Sequence, residues 1–382
     1  MKKFLALFLA LVMVLALAAC SSTTEPAEEE VEEVVEVEET VEETEEVEEA
    51  EEVEEVEEVV EEEPVEEASD ANEIVAVQNE DGTVHVNDDV DLTGYTLGYV
   101  TINSAAPWGG LVGTSFEAYA TEAGAEVKVL DAQTDPDKVV EYCEQMISAG
   151  VDALAVFGGD PTAMVDIAEQ CADAGIGLFM LALDVAEEGR DNVVACVGPD
   201  QEQMCYDIGQ YVIEQNGADA GCLVVQINGV PFLEDYIERN AGFAAAMEET
   251  NYDVKEKVDA YSSRSDAKAF MEDFLTTYGD DIDIVMGYDD DLTMGAVAAI
   301  DEAGKTGTIK VYSLTGQNDA IQAVADGQME LTVVNRAQDI GAEAVNAVFE
   351  YLTTGTTVYY HRTPLTYVTA ENVDQWIGNG EF

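Results

Sequence analysis

Thr96-Leu97-Gly98-Tyr99-Val100-Thr101 runs into Ile102-Asn103-Ser104-Ala105-Ala106-Pro107-Trp108-Gly109-Gly110. The first six residues, rich in β-branched and aromatic side chains, predict a short strand. The Pro- and Gly-bearing run after them predicts a strand-end loop leading into a helix. The same unit recurs down the chain. Further strands are expected at 126–130, 153–157, 177–181, 192–197, 221–227, 254–260, 282–286, 309–312 and 331–334, with amphipathic helical patterns at 137–149, 161–174, 201–215, 235–249, 266–278, 291–303 and 319–326. Ala149-Gly150, Ala174-Gly175 and Ala303-Gly304 carry helix stops. Short apolar strands alternating with helices predict an α/β fold of doubly wound parallel sheets, in which small molecules bind beyond the carboxyl ends of the strands. Those ends include Phe157-Gly158-Gly159-Asp160-Pro161, Ala182-Leu183-Asp184, Asn228-Gly229-Val230-Pro231, Gly287-Tyr288-Asp289-Asp290-Asp291 and Ser313-Leu314-Thr315-Gly316. Polar, aromatic and Gly residues gather there.

Upstream of this alternation the N-terminus reads as an address. Lys2 and Lys3 precede an unbroken apolar run from Phe4 to Ala19, the pattern of a secretory signal peptide and short for a membrane span. The run ends in Leu17-Ala18-Ala19-Cys20, which resembles the lipobox of bacterial lipoproteins, and Ser21-Ser22-Thr23-Thr24 resembles the start of the tether that follows such a box. The resemblance implies lipidation of Cys20 and a protein anchored at the extracytoplasmic face of a bacterial cell membrane. A signal that merely ends in Cys is the alternative. From Glu25 to Glu67 the chain carries 26 Glu, no Lys, no Arg and no aromatic residue. Such a run cannot bury enough apolar surface to offset the entropy of ordering, so 21–70 is expected to be a disordered spacer between a signal at 1–20 and a linker at 71–94. Self-repulsion extends it to on the order of 150 Å. A cation-binding or partner-docking tail is the sharper alternative.

The whole chain has 382 residues, 14 of them Lys or Arg and 83 Asp or Glu, for a net charge of -69, with 47% hydrophobic residues. Without the glutamate run and the pair Lys2 and Lys3, 12 basic side chains face 57 acidic ones and the remainder still carries -45. That sign excludes nucleic acid as a partner. The roughly 290 residues beyond the tail suit two lobes better than one.

Leu97-Gly98-Tyr99-Val100 with Pro107-Trp108, Leu130-Asp131-Ala132-Gln133-Thr134-Asp135-Pro136 and Ile147-Ser148-Ala149-Gly150-Val151-Asp152-Ala153 are followed by Arg239-Asn240-Ala241-Gly242-Phe243, Asp289-Asp290-Asp291-Leu292-Thr293-Met294-Gly295-Ala296, Ala325-Asp326-Gly327-Gln328 and Thr369-Ala370-Glu371-Asn372-Val373-Asp374. In this order, from about Leu97 to Trp376, they resemble the ribose/galactose-type family of periplasmic sugar-binding proteins, the solute receptors of ABC importers. The resemblance implies a type I periplasmic binding protein fold, with two similar α/β lobes that close on a solute. The lobes are expected at 95–199 plus 336–361 and at 200–335 plus 362–382, joined by crossovers near 198–200, 335–336 and 361–366. Repressor relatives carry a helix-turn-helix ahead of this fold, where this chain has a signal and an acidic run.

A sugar presents hydroxyls and apolar ring faces, so its site needs carboxylates, amides, an Arg fork and a flat aromatic surface. The family pattern puts Trp108 at a ring-stacking position, Asp184 near a sugar-gripping acid, Arg239 at the family Arg, Asp289 at a cleft-facing Asn or Asp, and Asn335 at a crossover amide. The bland alternatives are a core Trp, a capping Asp184, a surface Arg and ordinary polar residues. Asp290 and Asp291 are expected to cap the helix that follows them. Thr315 stands with Leu314 where the family commonly has an aromatic-Asp pair, Ala106 where an Asn is common, and Gly109 where a second aromatic is. Arg264 and Gln317 are secondary candidates, and Trp376 is expected to be remote from the ligand.

No catalytic, cofactor or metal site is expected. The two His, His85 and His361, are far apart, no Gly-x-Ser-x-Gly is present, and Gly109-Gly110-Leu111-Val112-Gly113 lacks the phosphate-loop Lys. Cys143, Cys171, Cys196, Cys205 and Cys222, an odd set with no Cys-x-x-Cys, suit buried apolar roles, one disulfide being the alternative. The expected function is a monomeric, lipid-anchored receptor that delivers a small polar solute, a sugar above all, to an ABC permease. Two alternatives keep the fold: a sensory receptor signalling a sugar or autoinducer to a membrane kinase, and transport of a cationic or nucleoside-like solute.

Overall fold

The computed structural model describes residues 72–79, 82–231, 234–248, 250–260 and 263–380. The signal, Cys20 and the tether lie outside them. The chain runs through β1 (Glu73–Val75), β2 (Thr96–Thr101), α1 (Pro107–Glu122), β3 (Glu126–Asp131), α2 (Pro136–Ser148), β4 (Ala153–Phe157), α3 (Ala163–Ala174), β5 (Gly177–Leu181) and β6 (Ala195–Gly198). It continues through α4 (Gln201–Asn216), β7 (Leu223–Asn228), α5 (Glu234–Met247), β8 (Asp253–Asp259), α6 (Arg264–Tyr278), β9 (Ile282–Gly287), α7 (Asp290–Glu302), β10 (Lys310–Tyr312), α8 (Asn318–Ala325) and β11 (Leu331–Val334). The last elements are α9 (Ala337–Thr354), β12 (Tyr360–Arg362) and β13 (Thr366–Thr369).

These strands form two sheets, ordered β1-β12-β6-β5-β4-β2-β3 and β13-β11-β10-β9-β7-β8. The first is parallel throughout, and in the second only β13 runs antiparallel, against β11. Each sheet has a packed apolar cluster on either face. In the first lobe Val112 and Phe116 of α1 meet Ile340 and Val345 of α9 on one side, while Cys143 and Met146 of α2 meet Ile167 and Cys171 of α3 on the other. Two buried faces explain why these strands are short continuous apolar runs. The five Cys fill such positions, all buried and unpaired, and burial pushes the Cys171 and Cys205 thiols up to about 12.

Local sequence sets the boundaries. Asp135 caps α2 through Asp137 N (3.2 Å), Asp200 caps α4 through Gln203 N (2.8 Å), and Gly175 ends α3 in the left-handed region at φ 72°. Two readings need correction. The linker assigned to 71–94 contains β1, which pairs in parallel with β12, and its Ala76, Val84 and Leu92 are buried. Pro107-Trp108-Gly109-Gly110, read as loop, is the first turn of α1: Pro107 takes a first-turn position, where its missing N–H costs nothing.

Strand order locates the site. In the first sheet β2 lies between β4 and β3, and in the second β7 lies between β9 and β8, so in each the chain reverses its direction of winding at that strand. Crevices open beyond the carboxyl ends at such points.

Candidate functional site

Both switch points line one cavity of about 590 Å³. From the first lobe come Ile102, Asn103 and Ala106 after β2, Trp108 and Gly109 of α1, Thr134 after β3 and Phe157 at the end of β4. From the second come Val230, Asp235 and Arg239 around the start of α5, Tyr288 and Asp289 after β9, and Thr315 after β10.

Arg239 anchors the second wall and is only 6% exposed. Its Nε donates to Gln201 Oε1 (2.9 Å), its Nη1 to the Tyr288 carbonyl (3.1 Å), and its Nη2 lies 3.5 Å from Asp235 Oδ2. The guanidinium also sits 4.5 Å from the Tyr288 ring centre, and the Tyr288 hydroxyl donates to Asp235. A fork held on several sides is pre-oriented, so little entropy is lost when it meets a ligand oxygen. Asp289 is partly buried, and its Oδ1 accepts from Leu292 N (2.8 Å), capping α7. Burial pushes its carboxyl up to about 6, against the opposing pull of the Leu292 N–H and Arg239. Thr315 lies in the cavity wall at φ 108°, a costly backbone region for a β-branched residue, held by its N–H to the Val333 carbonyl (2.9 Å).

The first wall is aromatic. Trp108 and Phe157 rings lie 6.0 Å apart with their planes at 59°, and the Trp108 indole N–H donates to the Asn335 carbonyl (2.8 Å). That bond fixes the indole against the second crossover.

Of the sequence candidates, Trp108, Arg239, Asp289 and Thr315 thus come together in one cavity. Asn335 is fully buried beside them, with neither side-chain amide atom bonded to protein. Asp184 and Arg264 are corrections. Asp184 is buried elsewhere, accepting from Tyr359 Oη (2.6 Å), Tyr360 Oη (3.3 Å) and Val185 N (2.7 Å) and pairing with Arg190 (2.9 Å). Every acceptor direction is used within its own lobe. Arg264 is on the surface, clamped by Asp291 (2.7 Å) and Asp319 (2.8 Å). Gln317 is buried and lends its backbone N–H to Asp290 (2.8 Å). The capping assignment also shifts by one: Asp289 caps α7, while Asp290 is fully buried, accepts from Thr332 Oγ1 (2.9 Å) and Gln317 N, and donates its own N–H to Thr315 Oγ1 (3.3 Å). Burial pushes the Asp290 carboxyl up to about 7, so it carries a proton near neutrality more readily than a surface Asp. Trp376, expected to be remote, packs under the Arg336 guanidinium at 5.4 Å, next to the second crossover.

Sequence pattern alone does not single out Asp235, Tyr288 or Phe157 as site residues. Phe157 had a signal. A Cβ on Gly109 would come 2.5 Å from the Phe157 ring, so the missing side chain at 109 is the space that Phe157 fills.

The periplasmic binding protein domain family matches residues 97–357. The chain is 29% identical over 237 residues to the ribose import binding protein of Bacillus subtilis, covering 62% of this chain and 74% of that protein. It is 26% identical over 267 residues to the galactofuranose-binding protein of Escherichia coli, covering 68% and 83%. A crystal structure of a galactofuranose binding protein superposes with a TM-score of 0.70 at 23% identity, covering 75% of this chain and 98% of that one. An ABC transporter solute binding protein from Bacillus halodurans with bound myo-inositol gives 0.67 at 25% identity, covering 76% and 99%. These are binding proteins, which bears out the reading that the chain is not an enzyme. The chain belongs to the periplasmic binding protein family and has its type I fold, with the extracytoplasmic location that the family implies.

Proposed function

We propose that the chain captures a neutral, hydroxylated solute of the sugar class in the cleft between its lobes and delivers it to an ABC permease, held at the membrane by a lipidated Cys20. The observation that carries this reading is Arg239: a buried, pre-oriented cation beside Asp235, lining one cavity with Asp289 and the Trp108 indole. Carboxylates accept from hydroxyls, the guanidinium donates to them, and the indole covers an apolar ring face. The names of the ribose and galactofuranose relatives support the same class of solute, and the signal-like run ending at Cys20 supports the anchor.

A thermal-shift screen over D-ribose, D-galactose, D-fructose, myo-inositol and amino acids tests it. A solute at 100 times its dissociation constant adds about 2.7 kcal/mol to stability. Sugars or polyols are expected to raise the melting temperature; a response to amino acids alone would overturn the reading. Metabolic labelling with a fatty-acid analogue checks the anchor, with label lost in Cys20→Ala.

A further inference from the structure

The arm from Asn72 to Asn79 lies ahead of the family match, which begins at residue 97, yet it is built onto the place where the chain passes between the two sheets. It docks as a strand. β1 pairs in parallel with β12, Tyr360 N donates to the Asn72 carbonyl (2.9 Å), and Ala76 N donates to that of Arg362 (2.8 Å). β12 belongs to the first sheet and β13 to the second, so the chain crosses at 363–365, as it also does between β6 and β7. Thr363 N donates to the Gly198 carbonyl (3.1 Å) and ties the two passages together.

Arg362 reaches to both sides. Its Nε donates to Glu73 Oε2 of the arm (2.9 Å), its Nη2 lies 3.6 Å from Asp200 Oδ2, and the Tyr360 ring supports the guanidinium at 4.1 Å. With Nε held by Glu73, the planar fork has one direction left for Nη2, and that direction is Asp200. Asp200 in turn caps α4, its Oδ1 accepting from Gln203 N (2.8 Å) and its carbonyl from Met204 N (3.0 Å). The next residue, Gln201, is buried and its Oε1 accepts from Arg239 Nε (2.9 Å). A run of contacts therefore leads from Glu73 through Arg362, Asp200 and Gln201 to the fork in the cleft wall.

We propose that Glu73, Arg362 and Gln201 are positioning residues for Arg239, so that docking of the arm on β12 sets how firmly the cleft holds its solute. This rests on the reading of the cleft as a solute site and adds a control that the matched domain, starting at residue 97, does not contain. Arg239 meets a ligand oxygen without reorganising only while Gln201 holds its Nε. Gln201 stands in the first turn of α4, and that turn is held by Asp200, whose carboxylate Arg362 faces. The element that this run biases is the closure of the lobes, which has two arrangements and one fork at its centre. Glu73 is partly exposed, so its share of the effect is modest.

Hydrogen exchange of the full chain without ligand tests the link. In Glu73→Gln, a change at a partly exposed side chain that leaves the fold intact, the amides of Gln203 and Met204 should exchange about threefold faster or more while those of α7 keep their rates. Unchanged exchange at Gln203 and Met204 overturns the coupling, and so does equal acceleration in α7, which marks general loosening. Stopped-flow binding of D-ribose, D-galactose, D-fructose and myo-inositol in turn tests the effect on the cleft. Dissociation of the solute that binds should be about threefold faster in Glu73→Gln and about tenfold faster in Gln201→Met, with association within about twofold of the unaltered chain. Adding Glu73→Gln to Gln201→Met should change nothing further, because the run of contacts is already cut. Dissociation unchanged in Glu73→Gln, or full additivity in the double variant, overturns the proposal and leaves the sugar reading standing. Failure of every sugar and polyol to bind overturns the sugar reading, and the exchange result alone then decides the coupling.

Discussion

At the strand ends of the first lobe the cleft meets Trp108, Phe157 and Ile102; at the equivalent ends of the second it meets Asp235, Arg239 and Asp289. Both sets follow strands at a reversal of winding, β2 with β4 and β7 with β9, so topology puts them in the same place. What stands there differs because it is set by loop and first-turn residues, which can vary without disturbing the sheets. In the proposed reading one wall covers a flat face of the solute, and the other supplies direction through hydrogen bonds.

The comparison breaks most readily at Arg239. Arg239→Ala should weaken binding by about 2 kcal/mol, some thirtyfold, because a pre-oriented fork is lost and the ligand oxygens stay unpaired. Calorimetry on a variant shown to be folded checks this, and unchanged affinity would take the charged wall out of the site. Trp108→Ala should lose on the order of 1 kcal/mol beyond the lost area and more than Trp108→Phe, which keeps a flat face but gives up the bond to Asn335 O. Equal losses would mean that the first wall does not stack on the ligand.

A smaller effect sharpens the second wall. Burial pushes the Asp290 carboxyl from its ordinary 3.8 up to about 7, so between about pH 4 and 7 the folded state holds more proton than the unfolded state, and this group's contribution to stability falls as pH rises. Asn cannot titrate. The melting temperature of Asp290→Asn relative to wild type should therefore improve from pH 5 to pH 8 by about 2 °C or more. A constant difference would show that burial does not perturb this carboxyl. Smallest of all, Asp184→Asn should leave affinity unchanged within about twofold while costing about 1 kcal/mol of stability, because its partners are Tyr359, Tyr360 and Arg190 rather than the ligand.

How much of this was legible depended on the range of the interactions. Strands such as β2 and β4 were readable because burial on both faces writes a continuous apolar run into a few adjacent residues. β1 was not, because three residues hold little pattern and their partner, β12, lies at the other end of the chain. Arg239 stood out in a chain with only 14 basic residues. Asp184 misled because the hydroxyls of Tyr359 and Tyr360 that occupy it come from 175 and 176 residues away. In sequence Phe157 is one more apolar strand end, because the bare backbone of Gly109 that leaves room for its ring comes from another element.

The most direct test of the two-wall cleft is tryptophan emission in a Trp376→Phe background, titrated with the sugar or polyol that gives the largest thermal shift. Trp108 is then the sole reporter, since the chain has two Trp. Emission should change saturably at the calorimetric midpoint, and adding Arg239→Ala should move that midpoint by about tenfold or more. Saturable heat with silent Trp108 emission and a midpoint indifferent to Arg239 would contradict it.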